Sequence, residues 1–374
     1  MNGAIETQEM LSQAVEQMLE RHHSANLLCE GKPKPDLWPQ LVDLGLAGAE
    51  FPEDRGGLAV PFADIAPAIQ KMGRALATTY LTEFTIIGGW LTEACGTLSS
   101  RDIASLAAAG EARVALAFGE YGSGGDIAFT KTSAVQSDGG WKINGKKSVV
   151  VGGDRASHLI IPAKITPGAD DPNGELALFL LSVDTFGLTR HVFELYDGSF
   201  AADFDLRDVK VPADRLIARG ENAIDLIELA LDRGRAALCH ETVGLLEKVQ
   251  EITLEYVKTR KQFGQPIGAF QTMQHRMADM YMDIELAQSC AELATDAMSL
   301  ESDKNRRMQT VSTAMAGICD CARRVGQSAV QAHGGIALTQ EYLVGHYFKR
   351  LTMVERYLGN AEYHVERYIA RART

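Results

Sequence analysis

No apolar run in the 374-residue chain reaches a membrane span, because charge or glycine breaks each one well before about 20 residues. Positive charge is also short: 37 Lys and Arg face 49 Asp and Glu, a net −12. Phosphate backbones need a basic footprint, so no nucleic-acid-binding role is expected; a small anion in a local basic pocket stays open. Met1 to Glu20 lacks a basic start followed by an apolar core, so no signal peptide and no membrane association are expected. Cysteine is sparse and scattered: Cys29, Cys95, Cys239, Cys290, Cys319 and Cys321. The one close pair, Cys319 and Cys321, has neither a zinc-knuckle nor a thioredoxin spacing. Reduced thiols in a cytoplasmic protein, with no metal site, are expected. There is no internal repeat and no low-complexity stretch.

What is present is ordinary globular material, 46% hydrophobic and 23% charged, with length for two or three domains. Composition divides it into three parts. Up to about 112 the period is helical: Leu11, Ala14, Val15, Met18 and Leu19, then Leu37, Leu41 and Leu44 behind Pro33 and Pro35. Ile65–Leu76 and Thr82–Cys95 also read as helices. From 113 to 217, short β-rich runs alternate with turns. These runs are Val114–Phe118, Thr132–Gln136, Trp141–Ile143, Ser148–Val151, Leu159–Ala163, Leu176–Val183 and Asp203–Val211. Asp138-Gly139-Gly140 and Asn144-Gly145 carry hairpin signals, so a small antiparallel barrel or sandwich is expected. From 218 to the end, one proline, Pro266, interrupts long helical stripes. They run through Ile227, Leu231, Leu238 and Leu245, through Met273, Met277, Met280 and Ile284, and over Val311–Ala332. A bundle of long helices follows.

Four segments, in this order, carry a resemblance. They are Leu37–Leu46 with the Pro52–Gly57 loop; Asn144-Gly145-Lys146-Lys147 with Asp208–Ala213; Arg260–Ile267 with Phe270-Gln271; and Gln331–Ile336. Together they resemble the acyl-CoA dehydrogenase family of flavoproteins over nearly the whole chain. The run Val344–Thr352 is similar to small subunits of pimeloyl-CoA dehydrogenase and of related two-subunit enzymes. The resemblance implies an α+β multidomain fold: an N-terminal helical domain (1–112), a middle antiparallel β-barrel (113–217) and a C-terminal four-helix bundle (218–374). It implies FAD, and desaturation of an acyl-CoA thioester at Cα–Cβ. In that chemistry a carboxylate takes the α-proton while hydride passes from Cβ to the flavin.

By the same resemblance, Arg260, Phe263, Gln271, Gln331, Gly334 and Gly335 are cofactor-binding positions at a subunit interface. Arg260 faces the pyrophosphate, and the glycines let the backbone approach. His333 reads as structural. Asp232 and Arg235 match residues that face acyl-CoA. Two departures stand out. The flavin loop reads Gly119-Glu120-Tyr121-Gly122-Ser123-Gly124-Gly125-Asp126, with Gly119 and Gly125 where the family has threonine and serine. Val149-Val150-Val151 replaces its Trp-Ile-Thr. Both positions at which family members carry the base are empty of carboxylate: Leu358 holds one and Gly234 the other. Gly234 costs its helix about 1 kcal/mol against alanine.

Three readings follow. One is a base-lacking small subunit, partnered by a homologous large subunit in an α2β2 assembly that supplies the glutamate. Another is a self-sufficient homo-oligomer with a relocated base. The third is a scaffolding homologue without flavin. In the first two, acyl-CoA is the substrate and an electron-transfer acceptor is a further partner.

Overall fold

The structure is a computed structural model. It describes residues 2–124, 126–166, 174–298, 300 and 302–372, the side chains of 2–6 and 128 excepted. In chain order come helices α1 (Asn2–His22), α2 (Asn26–Cys29), α3 (Trp38–Asp43) and α4 (Phe62–Arg74), a π-helix over Thr82–Gly89, then α5 (Trp90–Cys95) and α6 (Leu98–Ala108). Strands follow: β1 (Val114–Leu116), β2 (Ser133–Ser137), β3 (Gly140–Val151), β4 (His158–Ile165), β5 (Glu175–Ser182), β6 (Leu188–Glu194), β7 (Phe200–Pro212) and β8 (Leu216–Arg219). After α7 (Gly220–Thr259) come the short strands β9 (Lys261–Gln262) and β10 (Gln265–Pro266). Helices α8 (Gln271–Met298), α9 (Lys304–His333), α10 (Leu343–Val354) and α11 (Ala361–Ala372) complete the chain.

These elements form two compact units. One comprises Met1–Leu37, Pro61–Thr79 and Arg235–Thr374; the other comprises Trp38–Val60 and Tyr80–Gly234. The first unit is helical. Val15, Met18 and Leu19 are buried on α1, as their spacing requires. Pro67 inside α4 cannot donate to Ala63; that carbonyl instead accepts from Gln8 Nε2 at 3.4 Å. Helices α4 and α7 meet backbone to backbone. A Cβ on Gly73 would lie 2.0 Å from Glu241 O, and one on Gly244 1.9 Å from Gln70 O. The core of α9 (Met308, Val311, Met315, Ile318, Val325) is fully buried, with α8, α10 and α11 as its neighbours. All six cysteines are free.

The second unit holds a mixed sheet, and here the structure corrects the closed antiparallel barrel. The order is β6-β7-β3-β2-β4-β5-β8, with β1 beside β4. Strands β1 and β2 both pair parallel with β4, and β6 and β8 end the sheet unpaired on one side among the described residues. Closely spaced strands are legible in sequence; their pairing order is not. Asp138-Gly139 makes the expected two-residue hairpin between β2 and β3, with φ of 40° and 79°. Asn144-Gly145 does not reverse the chain. It lies inside the continuous strand β3, at a register shift against β7. Glycine is needed there because a Cβ would come within 2.5 Å of Thr132 Oγ1. A second shift lies between Lys147 and Val150, where Val149 has φ +54°. The expected helix from Thr82 exists, but its first residues, wholly buried, are wound as π-helix, a form often found at functional positions.

Candidate functional site

The turn between α10 and α11 is built by backbone geometry. Leu358 adopts φ +59° and Gly359 φ +108°. A Cβ on Gly359 would sit 2.4 Å from Tyr363 Cδ1, so only glycine fits. Asn360 Oδ1 accepts from Tyr363 N at 2.8 Å and opens α11. Arg235, buried to 2% exposure on α7, donates through Nε to Leu358 O at 3.1 Å. Its terminal nitrogen reaches the Tyr363 hydroxyl at 3.3 Å.

His364 is fully buried in the same corner, and neither of its ring nitrogens has a well-formed hydrogen bond. Burial first, then the charges of Arg235 and Arg367, push its pKa down to about 2; the nearby backbone of Leu358 and Gly359 opposes this only in part. A histidine so depressed holds no proton near neutrality and is a very weak base. The Leu358 side chain, 5% exposed, offers no proton acceptor. Nearby Glu355 lies 3.9 Å from Arg323, and Glu362 is exposed on the first turn of α11.

In the second unit, α7 carries Asp232, Arg233 and Gly234. Asp232 has no exposed surface. Arg233 pairs with Glu50 and stacks its guanidinium 4.9 Å above Trp90. Arg235, the other residue expected to face acyl-CoA, belongs to the first unit and is engaged with Leu358 and Tyr363 as above.

The expected cofactor residues are displayed outward in the first unit. Arg260 follows directly on α7 and is exposed. The turn between β9 and β10 is Phe263-Gly264, with φ of 51° and 82°. It presents Phe263 at 91% exposure, 6.1 Å from the Phe270 ring. Gln271, the first residue of α8, and Gln331 near the end of α9 are exposed too. Gly334, at φ +68°, and Gly335 have open space where a Cβ would stand. His333 is buried, its Nδ1 lies 2.9 Å from Ala329 O, and its ring stacks on Tyr256 at 4.3 Å.

On the sheet unit, Ser148 N donates to Gly119 O at 2.8 Å. The Glu120 carboxylate accepts from Lys131 N (2.7 Å), Thr132 N (3.2 Å), Thr132 Oγ1 (2.7 Å) and Lys147 Nζ (2.6 Å). Burial raises the Glu120 pKa, but the Lys147 charge and the hydrogen bonds outweigh it and leave the carboxyl below its usual range. Burial likewise pulls Lys147 down to about 8, against the attraction of Glu120. Both groups are therefore charged at neutral pH. Val149 stands 54% exposed, its N–H donating to Asp203 Oδ1 at 2.8 Å. Gly125 of the flavin loop lies outside the described residues.

A cleft of about 330 Å³ in the first unit is lined by Glu16, His23, Lys71, Arg74, Lys248 and Tyr347 among others. Its cations are paired, Lys71 with Glu16, Arg74 with Glu247 and Glu251, and Lys248 with Glu251. No group of three or more His, Cys, Asp or Glu among the described residues could hold a metal ion. No described helix is long and apolar enough to cross a membrane.

The acyl-CoA dehydrogenase N-terminal domain family matches residues 5–102, and its C-terminal domain family matches residues 224–373. The chain belongs to the acyl-CoA dehydrogenase family, whose members are oxidoreductases acting on acyl-CoA. The probable acyl-CoA dehydrogenase YngJ of Bacillus subtilis is 28% identical over 366 residues, 95% of each chain. Among solved structures, a variant of the Tcur3481-Tcur3483 steroid ACAD is similar with a TM-score of 0.86 and 26% identity. That match covers 99% of this chain and 98% of the other. The FAD complex of PigA shares the fold, with a TM-score of 0.86 and 22% identity, covering 100% and 98%.

Register within the family pointed to Leu358, Gly234, Arg235 and the exposed set around Arg260 and Gly335. It did not find His364, or the Glu120–Lys147 pair. The one sequence signal for the pair was Lys147, a charge at an inward position of a strand whose other inward residues are Ile143 and Val150.

Proposed function

We propose that this chain is the base-lacking small subunit of a heteromeric FAD-dependent acyl-CoA dehydrogenase that desaturates an acyl-CoA thioester at Cα–Cβ. The observation that carries this reading is the α10–α11 corner. A buried leucine occupies the turn, Arg235 donates to its carbonyl, and the buried histidine of the same corner, His364, is too weak a base to take a proton. Gly234, the alternative position, has no side chain. A homologous large subunit supplies the glutamate, as the joined name of the steroid neighbour suggests.

The exposed set fits FAD. Gly334 and Gly335 leave room for a ligand against the backbone. Arg260 offers a planar, permanently charged partner to a pyrophosphate. Phe263, held out by its turn, offers a flat apolar face. When bound, FAD supplies the acceptor for the hydride leaving Cβ. This chain's residues would hold the dinucleotide. The divisions 1–112, 113–217 and 218–374 remain the proposed domain plan, and an electron-transfer acceptor the proposed further partner.

The test is the visible absorption spectrum of the chain purified alone and after co-expression with its homologous large subunit. About one FAD per pair, found only in the complex, is the expected result. Full flavin occupancy with acyl-CoA bleaching in the lone chain would overturn the reading and favour a self-sufficient enzyme. A colourless complex would favour a scaffold.

A further inference from the structure

A buried ion pair seldom repays its desolvation in stability; apolar residues of like volume often do as well or better. Glu120 and Lys147 form such a pair, with Lys147 wholly buried. The Glu120 carboxylate takes four donors, about as many as its lone pairs admit. Its placement suggests a geometric role. Glu120 follows Gly119, and Lys147 precedes Ser148, whose N–H holds Gly119 O. The ion pair and this backbone bond are therefore two adjacent rungs that tie Gly119 and Glu120 to β3. The register shift and the left-handed Val149 come immediately after. Asp203 then fixes the Val149 amide.

We infer that Glu120 and Lys147 are positioning residues: a buried clamp that sets the backbone of Gly119 and of Ser148–Val151, the face presented to the isoalloxazine ring. This inference rests on the reading of the chain as a flavin-binding subunit. By the resemblance, the side chains that would grip the ring are here Gly119 and Val149–Val151. With those gone, backbone placement is what this unit still offers, and the clamp controls it.

Two variants test this in the complex with the large subunit and in the chain alone. E120Q/K147M removes both charges and keeps an acceptor and the volume. E120D keeps the charges and shortens the reach. The readouts are the thermal midpoint, FAD retention by flavin fluorescence, the position of the flavin visible band, and amide hydrogen exchange at Thr132 and Ser148. For E120Q/K147M we expect a midpoint within a few degrees of wild type, FAD retention reduced at least tenfold, a shifted flavin band, and at least tenfold faster exchange at both amides. E120D should move in the same direction, less far. Unchanged FAD retention and band position with a lowered midpoint would overturn the inference and leave the pair a fold element only. If the wild-type complex holds no FAD, the functional reading fails instead. Exchange in the lone chain then decides: unaltered Thr132 and Ser148 amides would overturn the clamp as well.

Discussion

Arg235 donates through Nε to the carbonyl oxygen of Leu358 at 3.1 Å, holding in place a turn whose side chain cannot do proton chemistry. The guanidinium thus serves the backbone at the position that the proposed function reads as lacking its base. R235M leaves that carbonyl and the Tyr363 hydroxyl without their charged donor. It should cost about 2–3 kcal/mol, read as a lower urea midpoint. R235K, lacking the fork, should recover little of it. Full stability in R235M would show that the bond is incidental.

L358E places a carboxylate beside Arg235 and His364. The His364 pKa should rise by about one unit or more, because a nearby negative charge favours the imidazolium. NMR titration of the ring reads this. In the FAD-loaded complex whose large subunit has lost its glutamate, L358E should also restore bleaching by acyl-CoA. A flavin-loaded L358E that stays oxidised would show that this turn is not the base position.

Two of the buried histidines, His240 and His364, should make the fold less stable in acid. His240 is pushed down to about 4 by burial, and His364 to about 2. Their folded values lie below the unfolded one near 6.5, so the unfolded chain binds more protons as pH falls. Stability should decline from about pH 6.5 downwards, by about 1.4 kcal/mol per unit for each histidine, until each folded value is reached. Urea unfolding at pH 7, 5.5 and 4.5 measures the slope. H364F should flatten it; an equal slope in H364F would exclude His364 as a source.

Arg260 and Gly335 meet solvent, so R260A and G335A should leave the melting midpoint nearly unchanged, within about 0.5 kcal/mol. In the complex, both should lose FAD at least tenfold. Flavin content after desalting decides; full retention in both would remove this surface from the cofactor site.

G244A drives a methyl into Gln70 O, 1.9 Å from its position. It should destabilise by about 3 kcal/mol, seen in the urea midpoint. A neutral effect would mean that α4 and α7 can part without cost.

Sequence patterning revealed the helices and most strands because burial sets their period. It overlooked β6, in which no residue is buried to mark the period, and the short β8. Asn144-Gly145 misled because its glycine serves a close approach to Thr132, not a reversal. The parallel pairings with β4 bring together segments far apart in sequence, which no local period encodes. The same limit hid the Glu120–Lys147 clamp and the arginine-flanked His364. Leu358 and Gly234 rest on register alone, and the proposed function carries them forward.

An open sheet has a cost that a closed one avoids: its outer strands offer bare amides and carbonyls to any extended chain that drifts past. Strand β6 meets that hazard with Arg190, His191 and Glu194 along its length. Strand β8 meets it by brevity, running only Leu216–Arg219 before Gly220 begins α7. The boundaries of this sheet are thus guarded by charge on one side and by early termination on the other, which disfavours growth into fibres at high concentration.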